Sequence, residues 1–235
     1  MTRRRWIADE ISDNHAALTG EHARHLVQVL RAQVGQEFDI STGAEVRRGR
    51  ISGVHADRVE FELGEVVAHP AQNAITVALS IFKFDRMEWA IEKCTELGVE
   101  RIVPVIAGRT ESHLAAAAPR RVERWQRIAR QSAEQSRRVS PPGISAPAKF
   151  DDLVAIPADS RIVLAETEDD RLLKDAVRHD AGTVLLAFGP EGGWKAQELA
   201  ALRDAGWTAA SLGDTILRAE TAAIAAVAIA ASILQ

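Results

Sequence analysis

The spacing of apolar and polar residues changes character once along the chain, near Ala68-His69-Pro70-Ala71-Gln72-Asn73. Before that point, short segments alternate with glycine turns. Residues 34–40 lead into Ser41-Thr42-Gly43, and residues 50–54 and 58–63 follow. In 58–63 polar and apolar residues alternate with period two, the pattern of a strand with one face buried. One short helix is predicted over 22–31. Short strands separated by turns over about 70 residues predict a small β-barrel.

After the break, strand patterns alternate with helical ones. Residues 74–82 form a continuous apolar strand, and 86–97 carry helical spacing with Gly98 placed to follow the last turn. Further strands are predicted at 101–106, 161–166, 183–188 and 208–212, and further helices at 120–136, 195–205 and 219–234. Near-continuous apolar strands alternating with helices imply a parallel sheet covered on both faces. The stretch 138–149 holds Pro141, Pro142, Gly143 and Pro147 and reads as a connection. The expected organisation is an α/β chain with a β-barrel domain at 1–70 and a larger domain at 71–235.

Composition narrows this picture. The chain has 235 residues, 46% hydrophobic and 26% charged, so it is globular in type. A net charge of -4 excludes a domain that is basic throughout. Of the 29 basic residues only five are lysine, and codon usage in a GC-rich genome accounts for most of that bias, so position matters more than number. Residues 119–141 hold seven arginines and two acids; Arg120, Arg124 and Arg127 share one helical face, while Val122, Trp125 and Ile128 or Ala129 share another. A helix and loop carrying this charge can neutralise several phosphates. Cys94 is the only cysteine, which excludes an intramolecular disulfide and a cysteine zinc site. Its spacing with Met87, Ile91 and Leu97 predicts burial. The seven histidines show no metal-ligand spacing, so no metal is expected. The basic residues 1–6 are not followed by an apolar run, so no signal peptide is expected. Residues 222–234 are apolar apart from Ser232 but fall short of the roughly 20 residues of a membrane span. They predict a helix buried in a core or a subunit interface.

Two segments carry candidate chemistry. In Leu185-Leu186-Ala187-Phe188-Gly189-Pro190-Glu191-Gly192-Gly193-Trp194 a buried strand runs into a glycine-rich turn just before a helix. Ligands of parallel sheets sit at the carboxyl ends of strands, where glycines admit close approach and a helix N-terminus favours an anion. In Leu212-Gly213-Asp214-Thr215-Ile216-Leu217-Arg218-Ala219-Glu220-Thr221 a strand end again meets glycine and a helix, and Arg218 is placed to hold a phosphate or carboxylate. No two glycines are spaced Gly-x-Gly, which excludes the dinucleotide fingerprint, and neither a phosphate loop nor a Gly-x-Ser-x-Gly elbow occurs.

At these residues the sequence resembles the bacterial 16S ribosomal RNA uracil-N3 methyltransferases of the RsmE type, members of the SPOUT class. His25-Leu26, Val29-Leu30-Arg31 and Val34-Gly35-Gln36 are similar to the family's N-terminal domain. Lys83 with Asp85-Arg86-Met87-Glu88-Trp89, Glu92-Lys93-Cys94-Thr95-Glu96-Leu97-Gly98-Val99, Arg109-Thr110-Glu111 and Glu134-Gln135-Ser136 follow in family order. Gly189-Pro190-Glu191-Gly192-Gly193 with Glu198, and Leu212-Gly213 with Ile216-Leu217-Arg218 and Glu220-Thr221, are the most specific signatures. The chain departs from the pattern at Phe84 and Arg137, both usually glycine, and at Ser140, where arginine is frequent.

The resemblance implies a PUA-like β-barrel followed by a SPOUT-type parallel sheet tied in a deep trefoil knot. It implies transfer of a methyl group from S-adenosylmethionine to uracil N3 in rRNA of the small ribosomal subunit. It assigns cofactor binding to Glu166, Gly189, Pro190, Gly192, Gly193, Leu212, Gly213, Ile216 and Leu217, and catalysis to Arg218, Glu220 and Glu191. RNA contacts are expected at Arg24, Arg31, Arg86, Arg109, Arg124, Arg127, Gln135, Arg137 and Arg138, with Arg3, Arg4 and Arg5 assisting. It further implies a cytoplasmic homodimer joined through the knot domain and last helix, with no membrane association. Two alternatives stay open: ribose 2′-O methylation of RNA, and a non-catalytic RNA-binding assembly factor.

Overall fold

The computed structural model describes residues 5–68, 74–168 and 170–234. Arg3, Arg4 and most of the expected boundary at 68–73 lie outside the described residues. The chain divides into two compact units. One combines Met1–Ala71 with Ala133–Pro141, and the other combines Gln72–Ser132 with Pro142–Gln235. The first thus includes a segment that lies well inside the second half of the sequence.

The first unit contains β1 (Arg5–Ile7), β2 (Glu10–Ser12), β3 (His15–Thr19), α1 (Gly20–Arg24), β4 (Glu37–Ser41), β5 (Val46–Val54) and β6 (Arg58–Val67). The strands form one curled sheet in the order β1-β4-β5-β6-β3-β2, parallel between β1 and β4 and antiparallel elsewhere. The alternation read in 58–63 is the inner face of β6: Val59, Phe61 and Leu63 are buried with Leu18, Leu26, Ile40 and Ile51. The helix expected over 22–31 is α1 followed by a π-helical turn, His25–Val29. The first three strands, of three to five residues, are too short to show a period in the sequence.

The segment Ala133–Pro141 is held within this unit by three anchors. His22 places Nδ1 3.5 Å from Asp9 and Nε2 3.3 Å from Glu134. The Arg5 guanidinium donates to the Arg137 carbonyl, and the Ser41 hydroxyl donates to the Val139 carbonyl. Arg137 has φ +59°, a left-handed conformation that is costly to a residue with a Cβ and that glycine adopts freely.

The second unit contains β7 (Ile75–Ser80), α2 (Phe84–Glu96), β8 (Arg101–Ile106), α3 (Ser112–Ala117), α4 (Val122–Gln135, whose last turn belongs to the first unit), β9 (Gly143–Ile144), β10 (Ala148–Lys149), α5 (Phe150–Val154), β11 (Ser160–Leu164), α6 (Leu173–Ala176), β12 (Val184–Phe188), α7 (Ala196–Asp204), β13 (Thr208–Ala210) and α8 (Ala219–Ile233). Every pairing in its sheet is parallel, in the order β10-β8-β7-β12-β11-β13 with β9 on β8. Alternate residues feed two cores. Ile75, Val77, Leu79, Val184, Leu186 and Phe188 pack with α2, α4 and α8. Ala78, Leu185, Ala187 and Val163 pack on the other face with α5 and α7. Helix α8 leaves the β13 edge and packs on α2, β7 and β12. Its alanines 223, 226 and 230 therefore lie in the chain's own core. Cys94 is buried there too; burial pushes its thiol up to about 12, consistent with packing and not with nucleophilic chemistry.

The two carboxylates facing His22 raise its pKa to about 9, against an unperturbed 6.5, with Asp9 and then Glu134 as the largest causes. A raised folded-state pKa means that the stabilisation is complete below about pH 6.5 and is lost as pH rises through 9. Imidazole titration by NMR is expected to show a midpoint near 9 for His22. The stability advantage over His22→Gln should shrink between pH 6.5 and 9; a midpoint near 6.5 would contradict the anchor.

Candidate active site

In a sheet buried on both faces, backbone groups are free to meet a ligand mainly where the strands end. The carboxyl ends of β11, β12 and β13 surround a cavity of about 520 Å³. Its walls are the segments 164–168 and 188–194 with the loop 210–219, and Arg86 completes them. All of these belong to the second unit.

The 189–194 loop is tightly determined. The Gly193 N–H donates to the Pro190 carbonyl at 2.7 Å, closing the turn. Gly193 has φ +69°, and a Cβ there would lie 3.3 Å from Glu166 Oε1. A Cβ on Gly189 would lie 3.2 Å from the Gly193 carbonyl carbon and the Trp194 nitrogen, so the two strands of the turn approach as only glycine permits. The buried Trp194 indole donates to the Leu164 carbonyl at 3.1 Å, tying the turn to β11. Glu198, 8% exposed, accepts from the backbone N–H of Lys195 at 2.8 Å and of Gly108 at 2.7 Å. That carboxylate both starts α7 and joins it to the loop after β8. The second loop is open: residues 213–218 are exposed, with Ile216 at 79%.

Of the residues expected at a cofactor, all but Gly192 line the cavity. Glu191 and Arg218 line it as well; Arg218 is the N-cap of α8 and has no ion pair among the described residues. Glu220 does not. It is 5% exposed, Oε2 has no hydrogen-bond partner, and Oε1 lies 3.8 Å from Arg86 Nε. Arg86, expected at the RNA, stands in the cavity wall with Nη1 2.9 Å from Glu191 Oε1. Arg109 Nη1 donates to the Gly192 carbonyl at 2.5 Å.

The remaining expected RNA residues are dispersed. Arg124 makes two bonds to Glu88, at 2.6 and 2.8 Å, which raise its pKa. Arg127 is exposed with no ion pair among the described residues. Arg24, Arg31, Gln135 and Arg137 are exposed on the first unit, and Arg138 is buried there. The sequence reading missed Glu168 and Asp214, which line the cavity. Asp214 is a lone acid in its loop and Glu168 one of four acids within residues 166–170, and no spacing singles out either. The cavity lining thus includes four acids (Glu166, Glu168, Glu191, Asp214) and two arginines (Arg86, Arg218), with Glu191 paired to Arg86 and Glu168 3.5 Å from Arg203. No cluster of metal-ligating residues occurs among the described residues, and none of their helices is long and apolar enough to cross a membrane.

A parallel α/β unit with a glycine-walled cavity at its carboxyl edge, on one chain with a curled, mostly antiparallel unit, is the two-part arrangement that RNA methyltransferase family models describe for this sequence. Family models match accordingly: an RNA methyltransferase domain over residues 69–231 and an RNA methyltransferase PUA domain over 18–64. Ribosomal RNA small subunit methyltransferase E of Mycobacterium tuberculosis is 31% identical over 220 residues, 90% of this chain and 84% of the relative. The protein of that name from Synechocystis is 30% identical over 226 residues, covering 94% and 74%. Among solved structures, ribosomal RNA small subunit methyltransferase E from Neisseria gonorrhoeae bound to S-adenosyl methionine has a TM-score of 0.85 at 29% identity, covering 97% of this chain and 96% of its own. A putative methyltransferase from Legionella pneumophila in complex with the same cofactor has a TM-score of 0.86 at 25% identity, covering 99% and 98%. The chain belongs to the ribosomal RNA small subunit methyltransferase E family.

Glu198→Ala removes the acceptor of two backbone N–H groups at a buried site. The expected cost is about 2–3 kcal/mol, read as a lowered denaturant midpoint. An unchanged midpoint would show that the Gly108 and Lys195 N–H groups do not depend on this carboxylate.

Proposed function

We propose that this protein transfers a methyl group from S-adenosylmethionine to N3 of a uridine in small-subunit ribosomal RNA. The observation that carries the reading is the cavity itself, whose glycine-rich wall and loop 212–217 carry the family's signature residues. The donor fits the residues present. It bears a sulfonium and an ammonium against one carboxylate, a net positive charge, and the wall holds more carboxylates than guanidinium groups. Glu166, Gly189, Pro190, Gly193, Leu212, Gly213, Ile216 and Leu217 would hold it, mainly by backbone groups and apolar contact, with Gly192 behind the wall. When bound, it supplies an electrophilic methyl group.

The chain's own groups then have two tasks. One is positioning, since an in-line displacement gains much of its rate from alignment. The other is to take the proton from uracil N3. Glu191 and Glu220 are the carboxylate candidates, and the lining position of Glu191, beside Arg86, supports it as the proton acceptor. Glu220 stands behind Arg86 and acts through it. Arg218 faces the cavity with an uncommitted charge, suited to a uracil oxygen gaining negative charge or to a phosphate. The base must leave its stack to arrive. Arg24, Arg31, Arg127, Gln135 and Arg137 are exposed and suited to the RNA backbone, while Arg124 and Arg138 contribute through packing and pairing.

The proposal extends to a cytoplasmic homodimer acting on the small ribosomal subunit and to a knotted path in the second unit. The return of α8 from the β13 edge to α2 and β7 supports the knot. Alanines 223, 226 and 230 of α8 are committed to the core, so its outer positions, among them the exposed Ala228 and the part-exposed Ile229, are the part of the last helix that remains for a second copy.

Calorimetry is expected to show S-adenosylmethionine binding by the wild type and none by Gly193→Val, whose side chain meets both a left-handed backbone and Glu166. Nucleoside mass spectrometry of rRNA from a deletion strain should lose N3-methyluridine. Loss of a ribose-methylated nucleoside instead would favour 2′-O transfer, and absence of cofactor binding would favour an assembly factor.

A further inference from the structure

Two arginines that resemble RNA ligands in the sequence hold adjacent residues of the glycine-rich loop. Arg86, in the first turn of α2, donates to Glu191. Arg109, just after β8, donates to the carbonyl of Gly192. The Gly193–Pro190 hydrogen bond closes this turn, and the Trp194 indole ties its end to β11. The Gly193–Pro190 bond also aims the Gly192 carbonyl away from the turn, because both groups belong to one trans peptide, and Arg109 grips the carbonyl on that outer side. Arg86 holds the Glu191 side chain, so the loop is gripped from two separate elements.

We propose that Arg86 and Arg109 form a clasp that sets the shape of the cofactor loop, and that their role in the reaction is to position this loop and not to bind RNA. Three observations support it. Releasing Arg86 to a phosphate would uncover two carboxylates, and one of them, Glu220, is almost fully buried; a buried charge left without its partner is strongly destabilising. Arg109 does not line the cavity, so its influence there passes through Gly192. A Cβ on Gly192 would meet Arg109 Cδ at 3.4 Å and Cβ at 3.7 Å, so the side chain lies in contact with the loop along its length. Charge-assisted bonds of this kind are also stronger than neutral ones. Arg109 is therefore a positioning residue. Arg86 is one that also borders the cavity, and Glu220 supports it from behind.

The inference rests on S-adenosylmethionine as the occupant of the cavity, and the test separates the two. Arg86→Gln, Arg109→Gln and Arg109→Lys are compared with Arg127→Gln in the full-length protein. Calorimetry with S-adenosylmethionine is expected to show a roughly tenfold weaker Kd for each glutamine variant at the clasp, with Arg109→Lys intermediate because it keeps a charged donor. Binding of 16S rRNA across a salt series should keep the wild-type slope in the clasp variants. Arg127→Gln should show the reverse: unchanged cofactor affinity and a slope smaller by about 0.7–0.9. Wild-type cofactor affinity in Arg86→Gln and Arg109→Gln, together with a reduced salt slope, would overturn the clasp. Hydrogen exchange over 189–194 supplies a readout that needs no cofactor. It should quicken several-fold in both glutamine variants, with the rest of the sheet still protected. Unchanged exchange would overturn the proposal even if the wild type bound no S-adenosylmethionine, a result that would instead refute the assignment of the cavity.

Discussion

The active edge of this molecule depends on how a turn is held where its strand runs out of ladder partners. Strands β7, β12 and β11 are covered on both faces, so their side chains are committed to two cores. Past Phe188 the backbone loses its sheet hydrogen bonds and must find others. The indole of Trp194 reaches the Leu164 carbonyl, and the turn closes through Gly193. Glu198 ties the following helix to Gly108, and Arg86 and Arg109 grip the middle. A cavity can be both roomy and well shaped here because the turn, closed on itself through Gly193, is also held from β11, α2 and the segment after β8.

Charge is organised locally in the same way. The chain is net negative, yet 119–141 is strongly basic. Part of that basic charge is already used within the molecule. Glu88 takes Arg124, and Arg121 lies over the Phe84 ring at 4.8 Å. The positive surface open to RNA is thus smaller than the count suggests, and an acidic cavity wall sits in the same unit. Such a division suits an enzyme that must attract a cationic donor to one place and an anionic polymer to others.

Much of this was legible in the sequence, because apolar periodicity reports burial directly. The strands that became β7, β8, β11, β12 and β13 and the helices α2, α4, α7 and α8 carry strong patterns, and each lies within a few residues of its expected span. The two glycine-bearing loops were legible because their glycines are needed for approach and conformation. What stayed hidden has a common cause: it depends on contacts distant in sequence. Arg86 and Arg109 read as RNA contacts, since nothing local shows that Glu191 and Gly192 come to meet them. The segment Ala133–Pro141 gave no sign of clustering with the N-terminal unit, since its anchors at Arg5, His22 and Ser41 lie about a hundred residues away. Glu220 sits in a recognisable motif, but only the packing of α8 shows that it is sealed behind Arg86.

The mechanism requires that this cavity deliver a methyl group to a base nitrogen. The most direct test is to incubate the protein with unmodified small-subunit rRNA and S-adenosylmethionine carrying a deuterated methyl group, and to analyse the nucleosides by mass spectrometry. Label is expected in N3-methyluridine, abolished by Gly193→Val. Label in a ribose methyl group, or none with wild-type protein on either free rRNA or assembled subunits, would contradict it.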